Sequence, residues 1–286
     1  MQKIHDSNDQ TSLALIQELI TTQADCGADF IEVNVDKFGE LGWDVAAEMM
    51  KKYVAMVAEF GKGVPACIDS SNNELLEAGL ESWYAAGAEA KPLINSIKPD
   101  NADRLFSLKD KYPFVFIGLL MSHASENPVQ DLVDQAELIF DKAAAAGFAA
   151  NDIYYDTGAF PLSIDMPMMP GEKGRTFTAF ETIKALKDNP KFAGVHFSLG
   201  ISNCAKDLPG RRIGVIKAYI QKAMEYGLDA GIIDVRRDWF QPAPAEELVE
   251  LVTAFAEIDG SSEKQMDAMS RMSQFCQDCR DAKGAK

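Results

Sequence analysis

The chain has 286 residues, of which 47% are hydrophobic and 25% are charged, and this is the composition of a globular protein with a sizeable core. A formal net charge of −16 argues against nucleic-acid binding, because such a surface repels a phosphate backbone. We expect a cytoplasmic protein, since no apolar run approaches the roughly 18 residues of a membrane span and the polar residues 1–10 lack the apolar core of a secretory signal.

Short apolar runs alternate with helical patterns along the chain. Seven runs have the length of buried parallel strands and lie at residues 30–35, 64–68, 92–97, 114–120, 153–155, 194–201 and 230–235. Apolar residues at helical spacing predict helices at residues 13–23, 45–59, 73–87, 129–146, 178–187, 212–226 and 246–258. This alternation predicts serial βα units and a parallel sheet.

Two parallel architectures fit this order, a doubly wound sheet and a TIM-type (β/α) barrel. A doubly wound sheet usually has a glycine-rich fingerprint after its first strand, and residues 34–39 contain no such pattern. A barrel places polar functional residues at the carboxyl ends of several strands, and this chain does so repeatedly. We therefore predict an α/β fold of the TIM-barrel type.

The first strand of the expected eight is missing from this count, because residues 1–10 are a poor strand. Three explanations stay open: a late start of the chain, a seven-stranded barrel, or another segment or subunit that fills the gap. An open edge would leave backbone groups unpaired, so something should cover it. No linker rich in Gly, Ser or Pro divides the chain, and we predict one barrel over residues 1–260 followed by a helical tail over residues 261–286.

Asn and Asp side chains follow six of the seven predicted strands. Those at the strand ends are Asn34, Asp36, Asp69, Asn72, Asn95, Asp156, Asn203 and Asp234. A single Asn or Asp after a strand is usually a turn residue or a helix cap, and we interpret Asn72 and Asp36 in this way. Four or more such residues in register across strands indicate a binding site at the mouth of the barrel.

The chemistry of these side chains suits a flat heterocycle with many hydrogen bonds. A pterin ring presents an amide-like N3–H and an exocyclic amine as donors, and O4 and ring nitrogens as acceptors. Carboxylates accept hydrogen bonds, and carboxamides both donate and accept. A sugar phosphate fits less well, because no cluster of Lys or Arg and no glycine-rich phosphate loop accompanies these residues.

The five cysteines do not indicate a disulfide framework, because they are odd in number and scattered along the chain. Cys276 and Cys279 form one C-x-x-C pattern near the C-terminus. A zinc site needs two further ligands, which we do not find nearby. We interpret these two residues as structural or incidental thiols and predict no metal site.

At its strand ends the chain resembles the pterin-binding methyltransferases. That family includes the methyltetrahydrofolate:corrinoid protein methyltransferases and the folate domain of cobalamin-dependent methionine synthase. The matching segments are residues 27–34, 68–71, 77–80, 94–96, 117–119, 155–156, 200–203, 208–212 and 227–234. The resemblance is carried by the ordered set and not by any single segment.

The resemblance implies a TIM barrel, usually a homodimer. It implies transfer of a methyl group between N5 of methyltetrahydrofolate, or a related reduced pterin, and the cobalt of a corrinoid (cobalamin) carried by a partner protein. The residues that it assigns to the pterin ring are Asp69, Asn95 and Asp156. Asn34 would line the floor of the site, Asn203 would contact N5 and act in catalysis, and Arg211 would lie in the loop after strand six.

Two other hypotheses stay open. The family's first strand, with its Ile-Gly-Glu-Arg-Ile-Asn-like segment, is absent here, which allows a non-catalytic pterin-binding or complex-forming subunit. A dihydropteroate synthase-like enzyme would share the fold and the pterin site. Its sixth loop carries Ser-Arg-Lys, where this chain reads Ser202-Asn203-Cys204, and the basic residues needed for a pyrophosphate are missing.

Overall fold

A computed structural model describes residues 10–121 and 125–284, so residues 1–9, where we predicted no first strand, lie outside the described residues. The strands are β1 (Ile31–Asn34), β2 (Ala66–Asp69), β3 (Leu93–Ile97), β4 (Val115–Leu119), β5 (Ile153–Asp156) and β6 (His196–Ser198). The helices are α1 (Gln10–Asp25), α2 (Trp43–Phe60), α3 (Asn73–Ala85), α4 (Ala102–Phe106), α5 (Pro128–Ala145), α6 (Arg175–Asp188), α7 (Arg212–Tyr226), α8 (Glu246–Ala256) and α9 (Ser262–Gly284). In this part of the chain no helix is both long and apolar enough to cross a membrane.

The six strands form one sheet in the order β1-β2-β3-β4-β5-β6, with β1 and β6 as its outer strands. Parallel strands in sequence order with helices between them confirm the predicted α/β fold of the TIM type. The predicted seventh strand at residues 230–235 is wrong. Ala230 and Ile232 each donate an N–H to β6 or its continuation, at Phe197 and Leu199 over 2.9 Å. These two bonds have the spacing of a parallel ladder but are too few to form a regular strand.

The chain divides into two compact units, and the first contains β1–β4 with α1–α4. Its core lies between the strands and the helices that follow them. Ile31, Ile68, Ile94 and Phe116, one from each strand, have almost no accessible surface. Helix α3 approaches β2 so closely that a Cβ on Gly79 would lie 2.5 Å from Ile68. Glycine at this position therefore allows the helix to pack closely on the strand.

The second unit contains the end of β5, β6 and α6–α9. Phe180 of α6 and Tyr219 of α7 pack edge to face with their ring centroids 5.0 Å apart. Helix α9 occupies the predicted helical tail and packs on α8, with Phe275 buried. Cys276 and Cys279 lie on α9, and Cys279 is buried beside Gly210. The packing of Cys279 agrees with its interpretation as a structural thiol.

Candidate functional site

The carboxyl ends of β1, β2 and β3 place three of the predicted site residues in one row. The strand register pairs Asn34 with Asp69 and Asp69 with Asn95, and Ile117 of β4 continues the row. Residues paired in this way project from the same face of the sheet, so the three polar side chains lie side by side. Asn34 Nδ2 donates to Asp69 Oδ2 over 2.8 Å. Asn34 is exposed and the other two are half-buried, which leaves the row accessible to a ligand.

Asp36 is not the local turn or cap residue that we predicted. It begins the short 3-10 helix Asp36–Glu40 after β1, and its carboxylate reaches the residues that follow β2. Oδ2 accepts the N–H of Ser71 over 2.9 Å and the hydroxyl of Ser71 over 2.7 Å, and Oδ1 accepts the hydroxyl of Ser70. The Asp36 N–H donates to Asn34 Oδ1 over 3.1 Å. Asp36 therefore links the ends of two neighbouring strands.

Two other polar residues at predicted strand ends are explained by local structure. Asn72 is the N-cap of α3, as predicted, and its side chain accepts the N–H of Glu74 over 2.8 Å. Asp234 accepts hydrogen bonds from Arg236 through both of its oxygens over 2.8 Å. Contacts with nearby residues explain both side chains, so neither is assigned to the row on β1–β3.

Two carboxyl groups, one in the row and one beside it, hold their protons more tightly than usual. Burial raises the pKa of Asp69; the hydrogen bond from Asn34 lowers it and the negative charge of Asp36 raises it. Glu32 lies two residues before Asn34 on the same face of β1 and pairs with Cys67. Its side chain keeps accessible surface, yet the protein atoms around it remove enough hydration to raise its pKa to about 7, and the charge of Asp69 adds to this. Glu32 is not among the site residues predicted from the sequence, although its two-residue spacing from Asn34 was a usable signal.

Asp156 ends β5 in the second unit and is 8% exposed. Its Oδ1 accepts the N–H of Gly158 over 2.7 Å, and the N–H of Gly200 also stabilises the carboxylate. Burial outweighs both hydrogen bonds and raises the pKa of Asp156 to about 6. A carboxyl group with this pKa can hold or release a proton near neutral pH.

The loop after β6 carries Asn203 and Arg211, as predicted. Asn203 is exposed in the 3-10 helix Ile201–Ala205, beside Gly200. Its side-chain amide makes no hydrogen bond with any residue that the structure describes, so it is available to a ligand. Arg211 precedes α7, and its guanidinium is paired with Glu247 of α8 over 2.5 Å. The charge of Arg211 is therefore already balanced within the protein.

Asp165 is a buried carboxylate that is not among the residues predicted from the sequence. It is 2% exposed and accepts the N–H groups of Arg175 over 2.7 Å and Thr176 over 2.8 Å. These N–H groups belong to the first turn of α6, where backbone donors lack helical partners. Asp165 therefore fixes the loop after β5 to α6. The separation of ten positions between Asp165 and Arg175 hides this relation from any short sequence pattern.

The donor set indicates an organic ligand. Within residues 10–121 and 125–284, no three His, Cys, Asp or Glu side chains are placed to hold a metal ion. The groups at the strand ends are amides and carboxyl groups, some of them with raised pKa values. Such groups match a heterocycle that both donates and accepts hydrogen bonds.

Comparison with protein families agrees with this chemistry. The family model described as pterin binding enzyme matches residues 3–234 of the chain. The match covers 232 of the 286 residues and includes every residue of the row, Asp156, Asn203 and Arg211. The family includes methyltetrahydrofolate methyltransferases and dihydropteroate synthases.

Proposed function

This chain belongs to the family of pterin-binding enzymes, and within that family we propose that it is a methyltransferase. It would move a methyl group between N5 of methyltetrahydrofolate, or a related reduced pterin, and the cobalt of a corrinoid carried by a partner protein. The observation that carries the proposal is the row of Asn34, Asp69 and Asn95 across three adjacent strands. Carboxyl and amide groups at strand spacing match the alternating donors and acceptors along the edge of a pterin.

The carboxyl group of Asp69 would accept a hydrogen bond from the ring N3–H or the exocyclic amine, and the resemblance to the methyltransferases assigns the same role to Asp156. The amide of Asn95 would bind a neighbouring acceptor and donor of the same ring. Asn34 already donates to Asp69, so its part is to orient that carboxyl group. Side chains that are hydrogen-bonded to one another have little freedom, which lowers the entropy that binding costs.

The reaction needs help at N5, because a tertiary amine is a poor leaving group. The N5–methyl bond breaks as the methyl group bonds to cobalt, and N5 keeps the bonding electrons and takes up a proton. The unbonded amide of Asn203 can donate to neutral N5 or accept from protonated N5 by rotation of its side chain. A corrinoid in the Co(I) state would supply the electron pair of the new bond.

Features of the loop after β5 support the proposal that a partner protein binds. Met168 and Met169 are 92% and 68% exposed on this loop. The loop itself is held in place by Asp165 and by Gln265 Nε2, which donates to the carbonyl of Pro167 over 2.6 Å. Flexible methionine side chains on a fixed backbone adapt to irregular partner surfaces.

A dihydropteroate synthase-like activity is supported less well. Such an enzyme must bind a pyrophosphate, which needs free cationic groups near the pterin. Arg211 is paired with Glu247, and Arg236 is paired with Asp234. Both guanidinium groups would have to leave an acidic partner before they could bind an anion.

Isothermal titration calorimetry with methyltetrahydrofolate tests the pterin site. We expect one ligand per chain for the wild type and about tenfold weaker binding for Asn95→Ala, which removes a hydrogen bond to the ring. Asn189→Ala is the matched control, because that asparagine caps a short helix on the surface. No binding by the folded wild type, or equal losses in both variants, would refute the pterin site on β1–β3.

A methyl-transfer assay then tests the reaction. Free cobalamin reduced to the Co(I) state serves as the methyl acceptor, and its absorbance should fall as methylcobalamin forms in the presence of methyltetrahydrofolate. Pterin binding without any transfer would favour the non-catalytic subunit. Consumption of a pterin pyrophosphate would favour the synthase.

A further inference from the structure

We propose that Asp36 is a positioning residue of the pterin site. Its hydrogen bonds connect the end of β2 to the end of β1 and thereby hold Asn34 and Asp69 at a fixed spacing. The identification of the ligand as a pterin rests on the proposed function. The effect of Asp36 on Asp69 in the ligand-free protein does not rest on it and can be measured without any ligand.

The hydrogen bonds between the ends of β1 and β2 form a closed network. Asn34 Nδ2 donates to Asp69 Oδ2, and the Asp36 N–H donates to Asn34 Oδ1. The carboxylate of Asp36 then accepts from Ser70 and Ser71, which follow Asp69 directly in the chain. Both oxygens of Asp36 are therefore engaged across the gap between the two strands. Asn34 and Asp69 cannot separate without breaking at least one of these bonds.

The same hydrogen-bond network extends to β3. The N–H of Ser70 donates to the carbonyl of Asn95 over 3.0 Å, while its hydroxyl donates to Asp36. Ser70 is 5% exposed, so its bonds are protected from competition by water. Through Ser70, Asp36 is connected to every strand that contributes to the row.

The position of β1 explains why the side-chain hydrogen bonds of Asp36 are useful. Within residues 10–121 and 125–284, β1 is an outer strand of four residues, and β2 is the strand to which it is hydrogen-bonded. The end of a short outer strand frays readily, because few backbone hydrogen bonds secure it. Asp36 adds side-chain bonds at the point where Asn34 must be held. These bonds span 34 and 35 residues of sequence, which is why the pattern of the chain suggested only a local turn.

The charge of Asp36 acts on the same residues. Burial raises the pKa of Asp36, but the hydrogen bonds from Ser70 and Ser71 outweigh burial and lower it, so Asp36 stays ionised. This fixed negative charge favours the protonated form of Asp69. The polar and titratable groups around Asp69 are Glu32, Asn34 and Asp36 from β1 and its turn, Cys67 and Ser70 from β2 and its end, and Asn95 from β3.

Two variants separate the effect of the hydrogen bonds of Asp36 from the effect of its negative charge. Asp36→Ala removes both, whereas Asp36→Asn removes the charge but keeps an oxygen that can accept from Ser71. We expect Asp36→Ala to weaken methyltetrahydrofolate binding about tenfold or more in calorimetry, and Asp36→Asn to retain most of the affinity. Asp29→Asn is the control, because it removes the same charge from an exposed position before β1.

A carbon-13 NMR titration of the Asp69 carboxyl group in the ligand-free protein gives the second readout. Both Asp36 variants should lower the pKa of Asp69 relative to the wild type, and Asp29→Asn should leave it unchanged. Wild-type affinity in Asp36→Ala, or equally weak binding in Asp36→Ala and Asp36→Asn, would overturn the positioning role. An unchanged Asp69 titration in both variants would overturn it as well.

Two further controls keep the test decisive. If Asp36→Ala lowers the melting temperature so far that the protein is not folded at the assay temperature, Ser71→Ala replaces it, because it deletes one bond to Asp36 and leaves the charge. A wild type that does not bind methyltetrahydrofolate refutes the proposed function, whereas the Asp69 titration still decides whether Asp36 controls that residue.

Discussion

The side chains of Asn34 and Asp69, at the ends of β1 and β2, are bonded to each other, whereas those of Asp156 and Asn203, at the end of β5 and after β6, are not. Asn34 donates to Asp69 and is itself tied to Asp36. Asp156 is stabilised by backbone N–H groups alone, and the amide of Asn203 has no partner among the residues that the structure describes. The first region is thus a preformed set of contacts, and the second holds a buried acid and an exposed amide that can change partners.

This difference suggests a division of labour between binding and chemistry. A cross-bonded row loses little entropy when a ligand docks on it, so it suits recognition. An unbonded amide can follow a change in protonation of the reacting atom, so it suits the transfer step. Substitution of Asn203 should therefore affect turnover, substitution of Asp156 should affect both ligand binding and proton balance, and substitutions in the first region should mainly affect affinity.

The largest effect is expected for Asn203→Ala. Loss of its contact with N5 should lower kcat about 10²–10³-fold, by analogy with the removal of one donor from an oxyanion hole. The affinity for methyltetrahydrofolate should change little, because the ring contacts lie elsewhere. Single-turnover kinetics and calorimetry on the same preparation measure both quantities. Equal losses in rate and affinity would contradict the division between the two regions.

Asp156→Asn should have opposite effects on binding and on stability. Loss of a carboxylate acceptor should weaken methyltetrahydrofolate binding about 10- to 100-fold. The pKa of Asp156 is about 6 in the folded protein, above its ordinary value of 3.8, so the folded state loses stability as the pH rises between these values. The variant should therefore raise the free energy of unfolding at pH 8 by about 2–3 kcal/mol.

Urea denaturation at pH 8 and at pH 4 checks the stability part of this prediction. At pH 4 most of the wild-type Asp156 is already protonated in the folded protein, so the two proteins should differ little. A variant that is less stable than the wild type at pH 8 would show that the hydrogen bonds of Asp156 outweigh its burial.

A smaller effect is expected for Glu32→Gln, in the first region. The pKa of Glu32 is raised from 4.5 to about 7, so its ionisation lowers stability as the pH rises through this window. Because the side chain keeps accessible surface, we expect only about 1 kcal/mol of stabilisation at pH 8, or roughly 2–4 °C in melting temperature. Thermal unfolding at pH 8 and pH 4 measures it, with Glu18→Gln on the exposed face of α1 as the control. A gain of equal size at both pH values would mean that ionisation is not its cause.

Some of these features follow from local sequence. The helical pattern at residues 212–226 coincides with α7, and the cap at Asn72 was predicted from its position before α3. Both depend on interactions within a few residues, where spacing and side-chain chemistry suffice. The segment at residues 230–235 has the apolar run of a strand but forms only two bonds of a ladder. Strand formation needs a partner along its whole length, which an apolar run by itself does not reveal.

The sequence by itself determined the alternation of strands and helices, and it marked Asn34, Asp69, Asn95, Asp156 and Asn203 as polar strand ends. Only the tertiary structure decided which of them meet. The register of β1, β2 and β3 brings the first three into one row, and the same pairing brings Asp36 to Ser70 and Ser71. The raised pKa values of Glu32, Asp69 and Asp156 also depend on atoms that packing places around them. The physical reason is that hydrogen bonds between strands and the loss of hydration are set by neighbours in space, which lie tens of residues away in the chain.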